Sequence, residues 1–101
     1  MQVNIVREPK GGPDIVLLGA PDQKELLLKS GDHLSVRGFT ARIVTLPDGV
    51  TSLSALAESE HDRALAPGKP QLNLADPADC GALNHASAAE IAAEAYRRIR
   101  A

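Results

Sequence analysis

Four residues in the last third of the chain have side chains that could carry out a reaction: Asp76, Asp79, Cys80 and His85. A thiol close to an imidazole suggests a nucleophile with its general base. The same side chains can bind zinc, but the spacing of five between Cys80 and His85 fits no zinc motif. A reactive thiol needs neighbours that lower its pKa, and a lone cysteine in a loop usually lacks them. We therefore expect Cys80 to be inert, and an enzyme that uses Cys80 and His85 is the weakest alternative.

The remaining histidines and the terminal arginines are interpreted as solvent-facing side chains. His33 should be partly exposed near the end of the first helix, and His61 lies in a charged stretch. Arg97, Arg98 and Arg100 fall in the last turn of a terminal helix, where cations complement the helix dipole. We expect a solvated helix end here, with a partner contact as the alternative because Arg is enriched at interfaces.

Residues 15–46 are the stretch around which the rest of the chain is arranged. Residues 15–18 form an unbroken apolar run, typical of a strand that is covered on both faces. Asp22 and Glu25 have the spacing of a capping box at the start of a helix. Residues 41–46 read as a second strand. This order predicts a strand–helix–strand unit with parallel strands and a right-handed crossover.

The helix of this unit has an apolar stripe and two informative glycines. Leu27, Gly31 and Leu34 recur at the spacing of one helical face, which we expect to pack on the sheet. Gly31 should be small because the helix lies close to the sheet at that point. Gly38 follows the helix and suits the position where the backbone takes a positive φ.

Turn residues divide the rest of the chain into further elements. Prolines and glycines in residues 8–14 exclude a strand there. A strand is predicted over residues 3–7, either as half of a hairpin or as an edge strand. Residues 53–65 should form one helix or two short ones, residues 71–75 a third strand, and residues 76–81 a loop. Ser87 and Glu90 have the spacing of a capping box that opens a final helix.

Together these elements predict one domain over residues 1–101, with an α/β fold of three layers around a small, mostly parallel sheet of three or four strands. The net charge of −2 and the aromatic content of 2% argue against nucleic-acid binding. The single cysteine fits a reducing compartment. The sequence has no apolar signal region and no run long enough to cross a membrane, so we expect a cytoplasmic protein without a membrane partner.

The carboxyl ends of the strands form the rim where open parallel sheets usually bind ligands. Here the rim comprises residues 19–23, 47–49 and 76–80. A phosphate is disfavoured there, because Pro21 lacks an N–H donor and Asp22 places negative charge at the helix start. A small-molecule-binding regulatory module that uses this crevice is a second functional alternative.

Several segments resemble the C-terminal domain of transketolases. They are GPDIVLLG at residues 12–19, SVRGF at 35–39, TARIVTLP at 40–47, RALAP at 63–67 and HASAAE at 85–90 with the terminal helix. The resemblance covers nearly the whole chain, although its motifs are mostly those of a packed strand–helix–strand domain. Two departures are Gly-Ala-Pro-Asp at residues 19–22, where the family has Gly-Ser-Glu, and a short segment over residues 76–86.

The resemblance implies a thiamine-diphosphate enzyme of three domains, in which the cofactor and catalytic histidines belong to the other two. No catalytic, cofactor-binding or metal-binding residue carries over to a position in this chain. The resemblance therefore implies a noncatalytic subunit that associates with other chains of such an enzyme or with itself. Thiamine diphosphate and a divalent metal would then be held by a partner chain.

We also expect the shortened C-terminal half to leave apolar surface exposed near residues 50–56 and 83–89. Exposed apolar patches usually mark interaction sites. The protein should then be an oligomer or part of a complex, held by apolar contacts that survive raised salt.

Overall fold

The sheet has four strands, and β2 (Ile15–Gly19), one of its two inner strands, is buried along its whole length. The computed structural model describes residues 2–101. The strand order is β1-β3-β2-β4, with β1 at Asn4–Arg7, β3 at Ala41–Thr45 and β4 at Gln71–Asn73. β3 and β4 pair in parallel with β2, whereas β1 pairs antiparallel with β3. The predicted mostly parallel sheet is confirmed, and β1 is an edge strand rather than half of a hairpin with β2.

Four helices surround this sheet: α1 (Lys24–Val36), α2 (Glu58–Ala64), α3 (Pro77–Cys80) and α4 (Ala88–Arg100). Short 3₁₀ turns at Pro21–Gln23, Leu53–Ala55 and Gly81–His85 precede α1, α2 and α4. Among residues 2–101, none of the helices combines the length and the apolar character that crossing a bilayer requires.

The two faces of the sheet are covered by separate apolar cores, because successive strand side chains point to opposite faces. Ile15 and Leu17 of β2 pack with α1 and α4 on one face. Val16 and Leu18 pack with Leu56 and α2 on the other face. The α/β fold of three layers is therefore confirmed.

α1 packs on the sheet through the apolar stripe that the sequence predicts. Leu27 and Leu34 are fully buried. A Cβ added to Gly31 would lie 3.3 Å from Cδ1 of Ile43 in β3, tighter than most packed Cβ contacts. The helix thus approaches the sheet closely at Gly31, as predicted. Gly38 has a φ of 87° just after the helix, also as predicted.

The predicted capping box of Asp22 and Glu25 is wrong. Pro21 opens a 3₁₀ turn whose N-cap is Ala20, and Gln23 at the end of this turn is the N-cap of α1. The Oε1 atom of Gln23 accepts a hydrogen bond of 2.8 Å from the N–H of Ala20. Asp22 is left exposed on the outside of this turn.

The predicted loop over residues 76–81 is also wrong, because four of these residues form α3. The Oδ1 atom of Asp76 accepts a hydrogen bond of 3.0 Å from the N–H of Ala78. Pro77 occupies the first helical position, where its missing N–H has no intrahelical partner to lose. By contrast, the capping box of Ser87 and Glu90 forms at the start of α4 as predicted.

α2 is attached to the start of β1 through both backbone groups of Val3. The N–H of Val3 donates to Oε1 of Glu60 at 2.8 Å. The carbonyl oxygen of Val3 accepts from Nη1 of Arg63 at 2.8 Å. Two side chains of one short helix therefore bind the backbone where the edge strand begins.

The expected exposed apolar surface near residues 50–56 and 83–89 is not observed. Val50 and Leu56 are only 7% and 8% exposed. In the second segment, Leu83 and Ala86 pack partly buried against the core of α1 and α4. Among the residues that the structure describes, Val36 is the one large apolar side chain that is exposed, at 88%. The 3₁₀ turns fold both segments onto the cores, so these segments lack the exposed apolar patch that the predicted contact requires.

Candidate functional site

Cys80 is the last residue of α3, and its thiol is buried. Its Sγ atom lies 3.6 Å from the carbonyl oxygens of Leu74 and Gly81, to either of which the S–H can donate. Burial raises the pKa of the Cys80 thiol, and the charges of Asp79 and Asp76 add to that increase. A protonated and enclosed thiol is a poor nucleophile. This geometry favours the inert cysteine over the catalytic one.

His85 ends the 3₁₀ turn after α3 and is exposed. No hydrogen bond within residues 2–101 joins its ring to Cys80, whose contacts are backbone carbonyls. Within the same residues, no three side chains of His, Cys, Asp or Glu lie together as a metal site. Cys80 and His85 therefore stand close in sequence without forming a catalytic pair or a ligand set.

Asp79 is instead one partner in a network centred on Arg98. Its Oδ2 atom accepts from the N–H of Asn73 at 2.7 Å, and its Oδ1 atom accepts from Nη1 of Arg98 at 2.7 Å. Arg98 also donates to the carbonyl oxygen of Gln71 at 2.8 Å and to Oε2 of Glu94 at 2.8 Å. The Arg98 side chain is 19% exposed. The expectation that Arg98 is a solvated helix end is therefore wrong, since it binds α3, α4 and β4 together.

Glu94 lies between Arg98 and its neighbour Arg97. Arg97 donates to it from Nε at 2.8 Å and from Nη2 at 2.6 Å. The hydrogen bonds from Arg97 and then Arg98 lower the pKa of Glu94 from its ordinary 4.5 to about 2. Glu94 is thus a carboxylate at physiological pH, with a structural contact to each arginine.

Gln23 fills the crevice at the carboxyl ends of the parallel strands. Its Oε1 atom accepts from the N–H of Ala20, and its Nε2 atom donates to the carbonyl oxygen of Leu74 at 3.3 Å. A Cβ added to Gly19 would lie 2.8 Å from that Oε1 atom, so the Gln23 side chain rests on the Gly19 backbone. The Gln23 side chain thus occupies the N–H of Ala20 and the carbonyl oxygen of Leu74, the groups that a ligand between β2 and β4 would otherwise bind.

The histidines on α1 and α2 differ in their surroundings. His33 is exposed in the last turn of α1, in agreement with the prediction. His61 is half-buried, and its Nε2 atom makes a hydrogen bond with the carbonyl oxygen of Leu53. The prediction of a solvated His61 is wrong, because this ring joins α2 to the 3₁₀ turn before it.

The only Phe and the only Tyr of the chain meet beside two arginines. The ring centroids of Phe39 and Tyr96 are 5.3 Å apart, with an edge-to-face angle of 68°. The Cζ atom of Arg37 lies 5.2 Å from the Tyr96 centroid, and that of Arg100 lies 5.5 Å from it. Sequence reasoning missed this cluster. The only local signal is the spacing of four between Tyr96 and Arg100, which places them on one helical face.

No protein family model and no curated protein matches this sequence. Its fold is similar to two structures of transketolase from Pichia stipitis, one in complex with sedoheptulose-7-phosphate and one of a mutant enzyme. Each has a TM-score of 0.68 and 15% sequence identity, over 97% of this chain and 18% of the transketolase chain. The chain therefore has a fold like that of one part of transketolase, consistent with the predicted resemblance to the C-terminal domain.

Proposed function

We propose that this chain is a noncatalytic subunit with a transketolase C-terminal-domain-like fold, which associates with other chains of a thiamine-diphosphate-dependent enzyme or with itself. The observation that carries the proposal is the structural likeness to transketolase over 97% of this chain. The chain spans only 18% of those transketolase chains. The chemistry of the whole enzyme would then lie in the partner chains.

The surroundings of the reactive side chains support a noncatalytic role over the enzyme alternative. The raised pKa of Cys80 keeps the thiol protonated, and His85 is not placed to remove its proton. Asp79 is engaged by Arg98 and by the backbone of Asn73. Cys80 and Asp79 would have to leave their present contacts before either could act on a substrate.

The regulatory alternative, in which a small molecule binds at the strand-end crevice, is supported less well. Gln23 already pairs with the backbone groups of Ala20 and Leu74 at that point. Asp22 and Asp48 beside it are exposed carboxylates that would repel an anionic ligand. A melting temperature raised by a ligand would favour this alternative, because binding to the folded state alone stabilises it.

Thiamine diphosphate offers the first test of the proposal. The cofactor is anchored through a divalent metal, and within residues 2–101 no group of metal-ligating side chains is available to hold one. We expect calorimetric titration of this chain with magnesium and thiamine diphosphate to give no saturable heat, with a complete transketolase as the positive control. A Kd of about 1 μM, or roughly −8 kcal/mol, would overturn the proposal.

Association is the second test. A tagged form of this chain should capture thiamine-diphosphate enzyme subunits from a lysate of its source, or a second copy of itself, in amounts comparable to the bait. The tag alone is the control. A chain that recovers neither, and that stays monomeric in sedimentation at all concentrations, would contradict the proposed function.

A further inference from the structure

We propose that the surface formed by Arg37, Tyr96 and Arg100, here called the arginine–tyrosine surface, docks an acidic segment of a partner protein. This inference deepens the proposed function, on which it rests for the existence of a partner chain. It adds the position of the contact and the chemistry of the group that the partner presents.

The guanidinium groups of Arg37 and Arg100 have no carboxylate partner within the residues that the structure describes. Every other arginine of the chain forms an ion pair. Those pairs are Arg7–Asp32, Arg42–Glu8, Arg63–Glu60, Arg97–Glu94 and Arg98–Asp79. In a chain with a net charge of −2, two arginines left free on one surface form a local excess of positive charge.

Both guanidinium groups already contact the same aromatic ring in the absence of a partner. Both lie within 5.5 Å of the Tyr96 ring centroid, and Arg100 also donates to the Tyr96 hydroxyl at 2.9 Å. Phe39 also contacts the Tyr96 ring, edge to face, with the ring centroids 5.3 Å apart. A side chain that is already ordered loses less entropy when it binds, so this arrangement favours affinity.

Arg37 and Arg100 each lie at the carboxyl end of a helix. Arg37 follows α1 and Arg100 ends α4, and the carboxyl ends of the two helices lie together beside Tyr96. One cation at each helix end would complement the helix dipole. Cation–π attraction holds both guanidinium groups at the Tyr96 ring, so the positive charge at the two helix ends is concentrated on one surface.

The shape of the molecule at the arginine–tyrosine surface also suits a protein partner. A depression of about 470 Å³, lined by Tyr96, Arg97, Arg100 and Ala101, opens widely at this surface. Ligand pockets for small molecules usually bury most of the ligand, whereas an open surface suits the side chains of another protein. Tyr and Arg are also the residues that contribute most at the centres of protein interfaces.

The two guanidinium groups favour a carboxylate as the group that binds here. The guanidinium fork matches a carboxylate through two parallel hydrogen bonds. A nucleic acid is disfavoured because a phosphate backbone needs an extended basic stripe, and the surrounding chain is net negative. An acidic protein segment needs only a few charged contacts and finds them at Arg37 and Arg100.

The test uses acetylated and amidated hexaglutamate as the probe, with hexalysine as its opposite. Isotope-labelled protein is titrated while the amide, arginine Nε–H and Tyr96 ring resonances are followed by NMR. We expect saturable shifts at Arg37, Tyr96 and Arg100, with a Kd of about 0.1–1 mM. Hexalysine should give no such shifts. Raising the salt from 0.1 M to 1 M shortens the Debye length from about 10 Å to about 3 Å and should weaken binding.

Variants with the same loss of charge separate the surface from the net charge. The double variant R37Q/R100Q should weaken hexaglutamate binding at least about tenfold. The matched control K10Q/K24Q also removes two cations but leaves the surface intact, and it should bind as the wild type does. The variant R37K/R100K keeps both charges without the planar fork and should fall between the two. It also serves where the glutamine variant fails to fold.

Several results would overturn the inference. One is the absence of saturable shifts, and another is an equal loss of hexaglutamate affinity in K10Q/K24Q. A third is tighter binding of inorganic phosphate or oligothymidine than of hexaglutamate. The last is a set of shifts at this surface that depend on protein concentration when no probe is present. The last would identify a second copy of this chain as the occupant. If hexaglutamate fails while thiamine-diphosphate enzyme subunits are still captured, the surface assignment is wrong and the proposed function stands.

Discussion

Glu94 connects the stability of the protein to acid. Its pKa of about 2 in the folded state lies below the ordinary 4.5 of an unfolded chain, because Arg97 and Arg98 donate to its carboxylate. The folded state then binds fewer protons than the unfolded state between these values, so stability falls as the pH falls through this window. The contribution is complete above pH 4.5 and is lost near pH 2.

The measurement is the unfolding free energy of the wild type and of Glu94→Gln, from urea titrations between neutral pH and about pH 2. The variant should be less stable at neutral pH, and the difference should shrink below pH 4.5 as the wild-type carboxylate takes up its proton. A difference that stays constant over the whole range would contradict this account.

Cys80 should react slowly while the protein is folded. Burial encloses its Sγ atom and raises its pKa, so that little thiolate is present near neutral pH. We expect iodoacetamide to modify the thiol readily in urea and slowly in buffer, as followed by intact mass. A rate in buffer within about tenfold of that of free glutathione would indicate a reactive site instead.

The packing of α1 on the sheet depends on the absence of a side chain at Gly31. A leucine there would start from a Cβ position 3.3 Å from Ile43, and overpacking of this kind costs about 1–3 kcal/mol. Ser35→Leu on the same helix is the control, because Ser35 is exposed and should change stability by no more than about 0.5 kcal/mol. If urea titrations showed equal losses of unfolding free energy for Gly31→Leu and Ser35→Leu, the close contact at Gly31 would not be the cause.

Ser30 would not serve as that control, although it is adjacent to Gly31. It is fully buried, and its hydroxyl donates to the carbonyl oxygen of Leu26 at 2.7 Å. The hydroxyl satisfies itself within the helix, so a serine can occupy the core-facing side. A leucine at this position would also disturb the core.

The elements that could be predicted are those whose signals are local and repeated. The apolar run of β2, the stripe of α1 and the capping box of Ser87 and Glu90 each lie within one stretch of sequence, and all three are observed. α3 had a local signal too, since Asp76 followed by Pro77 is a helix start. Its Pro and Asp content favoured a loop, and the helix is only four residues long.

The candidate site could not be predicted, because its contacts join distant parts of the chain. Arg98 reaches Asp79 across 19 residues and Gln71 across 27. Arg37 reaches Tyr96 from a different helix. A cluster of arginines in a last helical turn looks the same in sequence whether its members are solvated or bound to a strand. The packing of α4 decides that Arg98 contacts Gln71 and Asp79 whereas Arg97 stays exposed.

At the scale of the whole molecule, Arg98 should matter more to stability than its neighbour. Arg98→Leu leaves the carbonyl oxygen of Gln71 and the Oδ1 atom of Asp79 without the donor that Arg98 supplies, and such losses cost about 1–3 kcal/mol. Arg97→Leu is the matched control, because Arg97 also pairs with Glu94 but is 68% exposed. Thermal and urea melts should show a clearly smaller effect for it. Equal effects would mean that Arg98 acts only through Glu94.

The attachment of both outer strands has a consequence for how copies of this molecule meet in a crowded solution. A sheet edge with free N–H and C=O groups can recruit a strand from another chain and so begin to aggregate. At β4, Asp79 occupies the N–H of Asn73 and Arg98 occupies the carbonyl oxygen of Gln71. At the start of β1, Glu60 and Arg63 occupy both groups of Val3. An acidic side chain and an arginine thus occupy backbone groups of β4 and of the residue before β1, and losing either pair would leave those groups free to pair with a strand of another chain.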